Sequence, residues 1–348
     1  MAIIWSWEFH DEDMLDLEKL GFTHSSNDNT YRASSRYSFS PDGAAVTGSA
    51  FEMETKDQYL VLPADVAAPE GAVAAAQRLP DGFSFATKEQ LYVGNSDGAI
   101  YTYHATNTVR LYVDNVYKAT GATISGSRWR YWTLKYSCTG STWYASVWLD
   151  GQEYISEQSD AEAAQTGNQT VRFYGTSDDG WPGYDAWGAW ANIILYDAYA
   201  DDSEKVRYVA RLDPNTDTSE TGTWVPDSGT DNFARLSGSL NSSTYTQESS
   251  PSDGDEVITS FSGNIAATLG VTPTAVKAVT VHAASSGLAN VTRAEVGDQG
   301  GSVTTAGANT SNGDTTTYQY ATATTKPSGG AWATTDTIKC KFEYSGSA

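Results

Sequence analysis

The stretch SDDGWPGYDAW, residues 177–187, gathers the side chains of this protein with the most chemistry to offer. Asp178, Asp179 and Asp185 carry the hard carboxylate oxygens that Ca²⁺ takes as ligands. Trp181 and Tyr184 flank Pro182 and Gly183 in a segment without strand periodicity. There a flat ring face can receive a sugar ring while nearby aspartates accept its hydroxyls. Each reading has a plainer rival. Adjacent aspartates also make an ordinary solvated turn, no twelve-residue calcium-hand loop is present, and a loop tryptophan can fold back over a sandwich end.

Other catalytic constellations are missing from the text. His10, His24, His104 and His282 are scattered, without the His-Glu-x-x-His spacing of a zinc site. There is no Gly-x-Ser-x-Gly elbow and no phosphate-cradling glycine motif.

The aromatic loop runs into WANIILYD. Under strict alternation Trp190, Ile194 and Tyr196 share one face of a strand, with Ile193 and Leu195 on the other. Apolar residues on both faces predict a central, doubly covered strand, with Trp190 in the core.

Strands dominate the rest of the first part. GFSFAT, AIYTYHA, TVRLYV, YWTLKYS, YASVWL, QEYIS and TVRFYG are short, aromatic and β-branched. LYVDNVYKA and VWLDGQEYIS each place Asp-Asn or Asp-Gly between alternating apolar runs, which predicts two-residue hairpins. Helical patterning is confined to EDMLDLEKLG near the start and SDAEAAQ at 159–165.

A chain of 348 residues suits two domains. Its character changes near residue 205: nine of its eleven tryptophans precede that point, and Ser, Thr, Gly and Asn dominate after it. Strand-like runs still recur there, as KAVTVHA, VTRAEV, TYQYATA and IKCKFEY. The expected domains are 1–204 and 205–348. A net charge of -22 opposes binding to nucleic-acid backbones and to anionic membranes, and no apolar run approaches the ~18–20 residues of a membrane span. The start MAIIWSWEFHDEDM has neither the basic segment nor the long apolar run of a secretory signal. Cys138 and Cys340 have no metal-type spacing and are expected as reduced, mostly buried thiols.

Three stretches resemble the concanavalin A-like lectin/glucanase superfamily, in particular its laminin-G-like branch. They are AAVTGSAFEMETKDQYLVLP (44–63), RWRYWTLKYSCTGSTWYASVWLDGQEYISE (128–157) and WGAWANIILYDAYADDSE (187–204), and the likeness spans roughly residues 30–204. It implies an all-β fold: a concanavalin A-like jelly-roll β-sandwich followed by a smaller C-terminal β domain. It also implies calcium at a sandwich rim, to which Asp178, Asp179 and Asp185 would contribute. The glucanases of the superfamily carry Glu-x-Asp-x-Glu on one strand face, since a retaining pair must stand ~5 Å apart. The nearest text is MLDLE, where Met14 stands in the first position, followed by Asp16 and Glu18. Hydrolysis is therefore not expected.

Residues 206–238, VRYVARLDPNTDTSETGTWVPDSGTDNFARLSG, and the ending PSGGAWATTDTIKCKFEYS resemble modules of structural proteins from tailed bacteriophages. That resemblance implies a virion protein assembled in the host cytoplasm: a capsid decoration protein, a head or neck fibre, or a tail-associated protein. Its implied partners are other virion proteins, further copies of itself as a homo-oligomer, and host surface glycans held near Trp181 and Tyr184. Nucleic acid and membrane insertion are not implied. A cellular carbohydrate-binding protein and a glycan-cleaving enzyme are the rival readings.

Overall fold

The computed structural model describes residues 3–9, 17–18, 20–25, 32–39, 46–53, 57–64, 66–78, 88–105, 107–124, 129–175, 188–199 and 209, then 215–230, 246–247, 252, 254–260, 265, 272–282, 290–298, 305–306, 310–312 and 317–347. The chain divides into two compact units, Met1–Ala210 and Arg211–Ala348.

In the first unit the described strands are β1 Ile3–Trp7, β2 Thr23–His24, β3 Arg32–Phe39, β4 Val46–Met53, β5 Tyr59–Val61, β6 Glu70–Arg78, β7 Lys88–Asn95 and β8 Gly98–Ala105. They continue as β9 Thr108–Val113, β10 Val116–Thr120, β11 Trp129–Ser137, β12 Trp143–Leu149, β13 Gln152–Asp160, β14 Thr170–Tyr174 and β15 Gly188–Tyr196. One sheet has the order β13-β12-β11-β6-β15-β4-β3, with β1 beside β15. The other has the order β10-β9-β8-β7-β14-β5-β2. Every described pairing is antiparallel. The two sheets pack into the all-β jelly-roll sandwich, and Phe173 of one meets Trp190 of the other edge-on, with centroids 4.9 Å apart.

The hairpins form where the turn chemistry places them. Asp114 and Asn115 take φ of 48° and 63°, and Asp150 and Gly151 take 51° and 77°. These are the left-handed pairs of a two-residue turn whose twist matches the strands. Asp150 also ties the β12–β13 turn to β11, accepting Tyr131 N–H at 2.9 Å and Arg130 Nη1 at 2.6 Å.

The strand β15 is central as expected, and Trp190, Ile193, Ile194 and Leu195 are buried. Its faces differ from strict alternation. Asn192 sits at φ 54° and the register against β6 shifts between Ala191 and Ile194, a bulge that adds one residue. Trp190 consequently shares the inner face with Ile193 and Leu195, which stand opposite Trp7 and Trp5. Phe51, opposite Trp190, and Phe9 link this set to the Trp5, Trp7 and Phe22 rings. Ile194 and Tyr196 go to the outer face and pack there with Ala72, Ala74 and Ala76 of β6 and with Tyr131. The small β6 residues leave room for those two tyrosines, and a Cβ on Gly71 would lie 2.3 Å from the Tyr196 carbonyl oxygen.

One further expectation changes. SDAEAAQ is not a helix: β13 continues to Asp160, and 161–166 runs without regular structure. Long-range bonds hold that segment instead. Trp143 Nε1 donates to Ala163 O at 2.8 Å, Gln165 N to Cys138 O at 2.8 Å, and Gln165 Nε2 to Gly98 O at 3.0 Å. So short a helix has little stability of its own to set against them. The expected helix in EDMLDLEKLG is present at Leu17–Glu18, and residues 12–16 and 19 lie outside the described residues. GFSFAT lies outside the described residues.

The second unit contains β16 Thr216–Thr221, β17 Val225–Pro226, β18 Thr246–Gln247, β19 Glu256–Ser260, β20 Val276–His282, β21 Asn290–Asp298, β22 Thr305–Ala306, β23 Thr310–Asn312, β24 Thr317–Ala323 and β25 Ile338–Ser347. Its main sheet has the order β16-β19-β25-β21-β22, with β23 beside β21; β17 pairs with β18 and β20 with β24. Its core gathers Ile265, Ala278, Val296, Ala321, Ala323, Trp332 and Ile338. Cys138 and Cys340 are free thiols; Cys138 is buried and Cys340 half-buried.

Candidate functional site: a tyrosine row on one sheet face

Trp181, Tyr184, Asp178, Asp179 and Asp185 lie outside the described residues. Tyr174 closes β14 in one sheet and Gly188 opens β15 in the other, so their segment connects the two sheets. Among the described residues, no group of three or more His, Cys, Asp or Glu is placed to hold a metal ion. Glu18 sits in the Leu17–Glu18 turn and accepts a 2.9 Å bond from His24 Nε2. Met14 and Asp16 lie outside the described residues.

The structure assembles a different constellation on the outer face of the second sheet. In β7, β8 and β9, Leu91, Val93, Ile100, Val109, Leu111 and Val113 are buried. The period of two then turns Tyr92, Tyr101, Tyr103 and Tyr112 to the opposite face. Register aligns them: Tyr92 faces Tyr101, Tyr101 faces Tyr112, and Tyr112 faces Tyr117. In β14 the buried Val171 and Phe173 force Arg172 outward, opposite Tyr92.

A continuous row results, running Tyr117, Tyr112, Tyr101, Tyr92, Arg172, Tyr59 across six neighbouring strands. At about 4.8 Å per strand it extends over roughly 24 Å. Tyr101 is stacked on both sides, with Tyr112 at 4.8 Å and 7° and with Tyr92 at 6.2 Å and 19°. Its ring faces are therefore covered, and the outward groups are ring edges and phenol oxygens. Tyr117 meets Tyr112 edge-on at 5.8 Å and stays 51% exposed, leaving ring surface free at the end of the row. The Arg172 guanidinium lies 4.8 Å from the Tyr92 centroid and 5.4 Å from that of Tyr59.

The phenols of Tyr92, Tyr101 and Tyr174 are held in the protonated form. Burial pushes Tyr101 up to about 12, with the neighbouring Tyr112 and Glu89 adding to it. Burial raises Tyr92 as well, against the pull of Arg172, and likewise raises Tyr174 against its hydrogen bond from Arg172. Each hydroxyl can thus donate one hydrogen bond and accept others.

Tyr101, Tyr103, Tyr112 and Arg172 lie in runs read as strands, AIYTYHA, TVRLYV and TVRFYG, whereas QLYVGN, which holds Tyr92, is not among them. The signal for a face was the alternation of tyrosine with buried aliphatics. Which strands lie side by side was not in that signal.

No protein-family model matches the chain, and no curated protein matches it. Among solved structures, the enzymatically active domain of bacteriophage CBA120 tailspike protein 2 aligns at 13% identity and a TM-score of 0.32, covering 51% of this chain and 29% of that one. A heptameric SAP-like pentraxin from Limulus polyphemus aligns at 12% and 0.27, covering 39% and 68%. The CBM22 tandem of Paenibacillus barcinonensis Xyn10C aligns at 10% and 0.25, covering 99% and 90%. The chain spans less than a third of the length of the tailspike chain.

Proposed function

We propose that the first unit binds glycans on the tyrosine row and that the chain is a structural protein of a bacteriophage particle, displaying this face to the host surface. The observation that carries the glycan reading is the row itself. Six side chains on six adjacent strands present phenol hydroxyls and one guanidinium over the length of an extended oligosaccharide. A chain of sugar hydroxyls can exchange hydrogen bonds with such a row at every strand, and a sugar ring can pack on Tyr117.

The virion reading rests on the phage-like pattern at residues 206–238 and in the closing strands. The segment 177–187, with Trp181, Tyr184 and the three aspartates, is proposed as an accessory site, with Ca²⁺ as its ion. Catalysis is not part of the proposal, because the paired strand-borne carboxylates of the glucanases are missing from the sequence. Weak single-site binding would be offset by multivalency, since copies repeated on a particle raise avidity by orders of magnitude.

The test is a glycan array probed with the full chain and with Tyr101→Ala. Binding by the parent chain that the variant loses supports the reading. Binding retained by Tyr101→Ala removes the row from it, and no binding on any glycan overturns it. Copurification with assembled particles decides the virion role separately.

A further inference from the structure

The arginine within the row, Arg172, makes no contact ion pair among the described residues, and its Nε is buried without a hydrogen-bond partner. What surrounds it is aromatic: Tyr59 and Tyr92 beneath the guanidinium, and the Tyr174 phenol as a hydrogen-bond partner. Arg110, opposite Tyr103 on the same face, lies 5.9 Å from the Tyr117 centroid and likewise has no carboxylate partner among the described residues. In a chain of net charge -22, with carboxylates in excess, two arginines on one sheet face without a contact ion pair among the described residues need an explanation.

Stacking on phenol rings holds a guanidinium flat and leaves its N–H groups in the ring plane, free for a planar anion. A carboxylate meets that geometry with two parallel bonds, and the neighbouring neutral phenols add donors to the same oxygens. We propose that the row takes an acidic glycan, one whose sugar carboxylate pairs with Arg172 while the rest of the chain lies along Tyr92, Tyr101 and Tyr112. This rests on the glycan reading above and adds its chemical class.

Two features bound the charge of the ligand. Glu89 stands on the same face, opposite Tyr103 in β8 and on the strand beside β14. Its charge also raises Tyr92 and Tyr174, so a carboxylate already borders the Arg172 site and favours a ligand of low charge there. The protein's net negative charge repels a densely charged polyanion that comes within the ~8–10 Å over which salt leaves charges unscreened. A monoanionic carboxylate spaced along the polymer fits better than a dianionic phosphate.

The test uses acidic oligosaccharides, among them hexagalacturonate and a hyaluronan hexasaccharide, each beside its carboxyl-reduced neutral form. Affinities are measured by calorimetry with the full chain, Arg172→Gln and Arg172→Lys. The acidic form is expected to bind about tenfold tighter than its reduced form, with that ratio falling to about one in Arg172→Gln and only partly in Arg172→Lys. Near-UV circular dichroism confirms that the face keeps its packing. Equal affinity for acidic and reduced forms, or a ratio unchanged in Arg172→Gln, overturns this inference and leaves the glycan reading standing. Failure of every form to bind overturns both.

Discussion

The rings of Tyr101 and Tyr112 stack 4.8 Å apart and within 7° of parallel, a separation equal to the spacing between neighbouring strands. The stack is therefore a product of register: residues opposite each other in adjacent strands, both turned outward, stand face to face. Cross-strand aromatic pairs contribute roughly 0.2–1 kcal/mol each, so Tyr112→Ala should cost the fold little, about 1 kcal/mol. Glycan binding should fall far more steeply. Urea unfolding and calorimetry on the same variant separate the two effects, and a loss of binding matched by gross unfolding would assign Tyr112 to structure alone.

Trp190 makes the opposite prediction. It is fully buried, packs on Phe173 and donates its indole N–H to the Tyr174 carbonyl at 2.9 Å. Trp190→Ala should cost about 3–5 kcal/mol. In Trp190→Phe the Tyr174 carbonyl is left without that donor, at a cost of roughly 1–3 kcal/mol. Denaturant titration measures both.

His104 gives the sandwich a pH dependence. It is buried in the core, where Gln77 Nε2 donates to its Nε2 at 3.4 Å, Gln90 donates to Gln77, and Thr102 donates to Gln90. Burial pushes its pKa down to about 3. An unfolded histidine takes up its proton near pH 6.5. Between those values the unfolded state binds more protons, so stability is complete above pH 6.5 and is lost as pH falls toward 3. At about 1.4 kcal/mol per pH unit, the loss at pH 4.5 should be roughly 2–3 kcal/mol. His104→Gln should have a shallower pH profile over that window, and profiles of equal slope would remove His104 as its source.

Tyr154 anchors the chain after β10. Its phenol accepts Val109 N–H at 3.2 Å and donates to the Ala122 carbonyl, while its ring lies against Gly121. A Cβ at position 121 would fall 2.0 Å from Cε1 of that ring. Gly121→Ala should therefore displace the ring and destabilise the first unit by about 1–3 kcal/mol, as overpacking does. A melting temperature equal to that of the parent chain would contradict the contact.

In the second unit Lys341 holds three carboxylates together, bonded to Glu256 at 3.1 Å, to Glu295 at 2.9 Å and to Glu343. Glu295 is only 2% exposed. Lys341→Met should leave those like charges uncompensated and cost about 3 kcal/mol or more. The loss should appear in calorimetry as a lower transition for this unit, with the transition of the first unit unchanged.

The sequence by itself determined what depends on neighbours along the chain. Asp114-Asn115 and Asp150-Gly151 specify their hairpins because positive φ is cheap for those residues. Uninterrupted apolar text around Trp190 specifies a doubly covered strand, and the recurring short runs specify an all-β fold. What spans strands distant in sequence was decided only by the tertiary structure. The Asn192 bulge moves Ile194 and Tyr196 to the outer face, which strict alternation cannot anticipate, because an extra residue shows only against the register of β6. SDAEAAQ has helical composition, yet its start belongs to β13 and its remainder is held without regular structure by bonds to Trp143, Cys138 and Gly98. The tyrosine row has the same origin. Tyr101, Tyr112 and Arg172 each read as one residue of one strand, and only the order β10-β9-β8-β7-β14-β5 lines them up with Tyr92 and leaves Arg172 without an ion pair among the described residues.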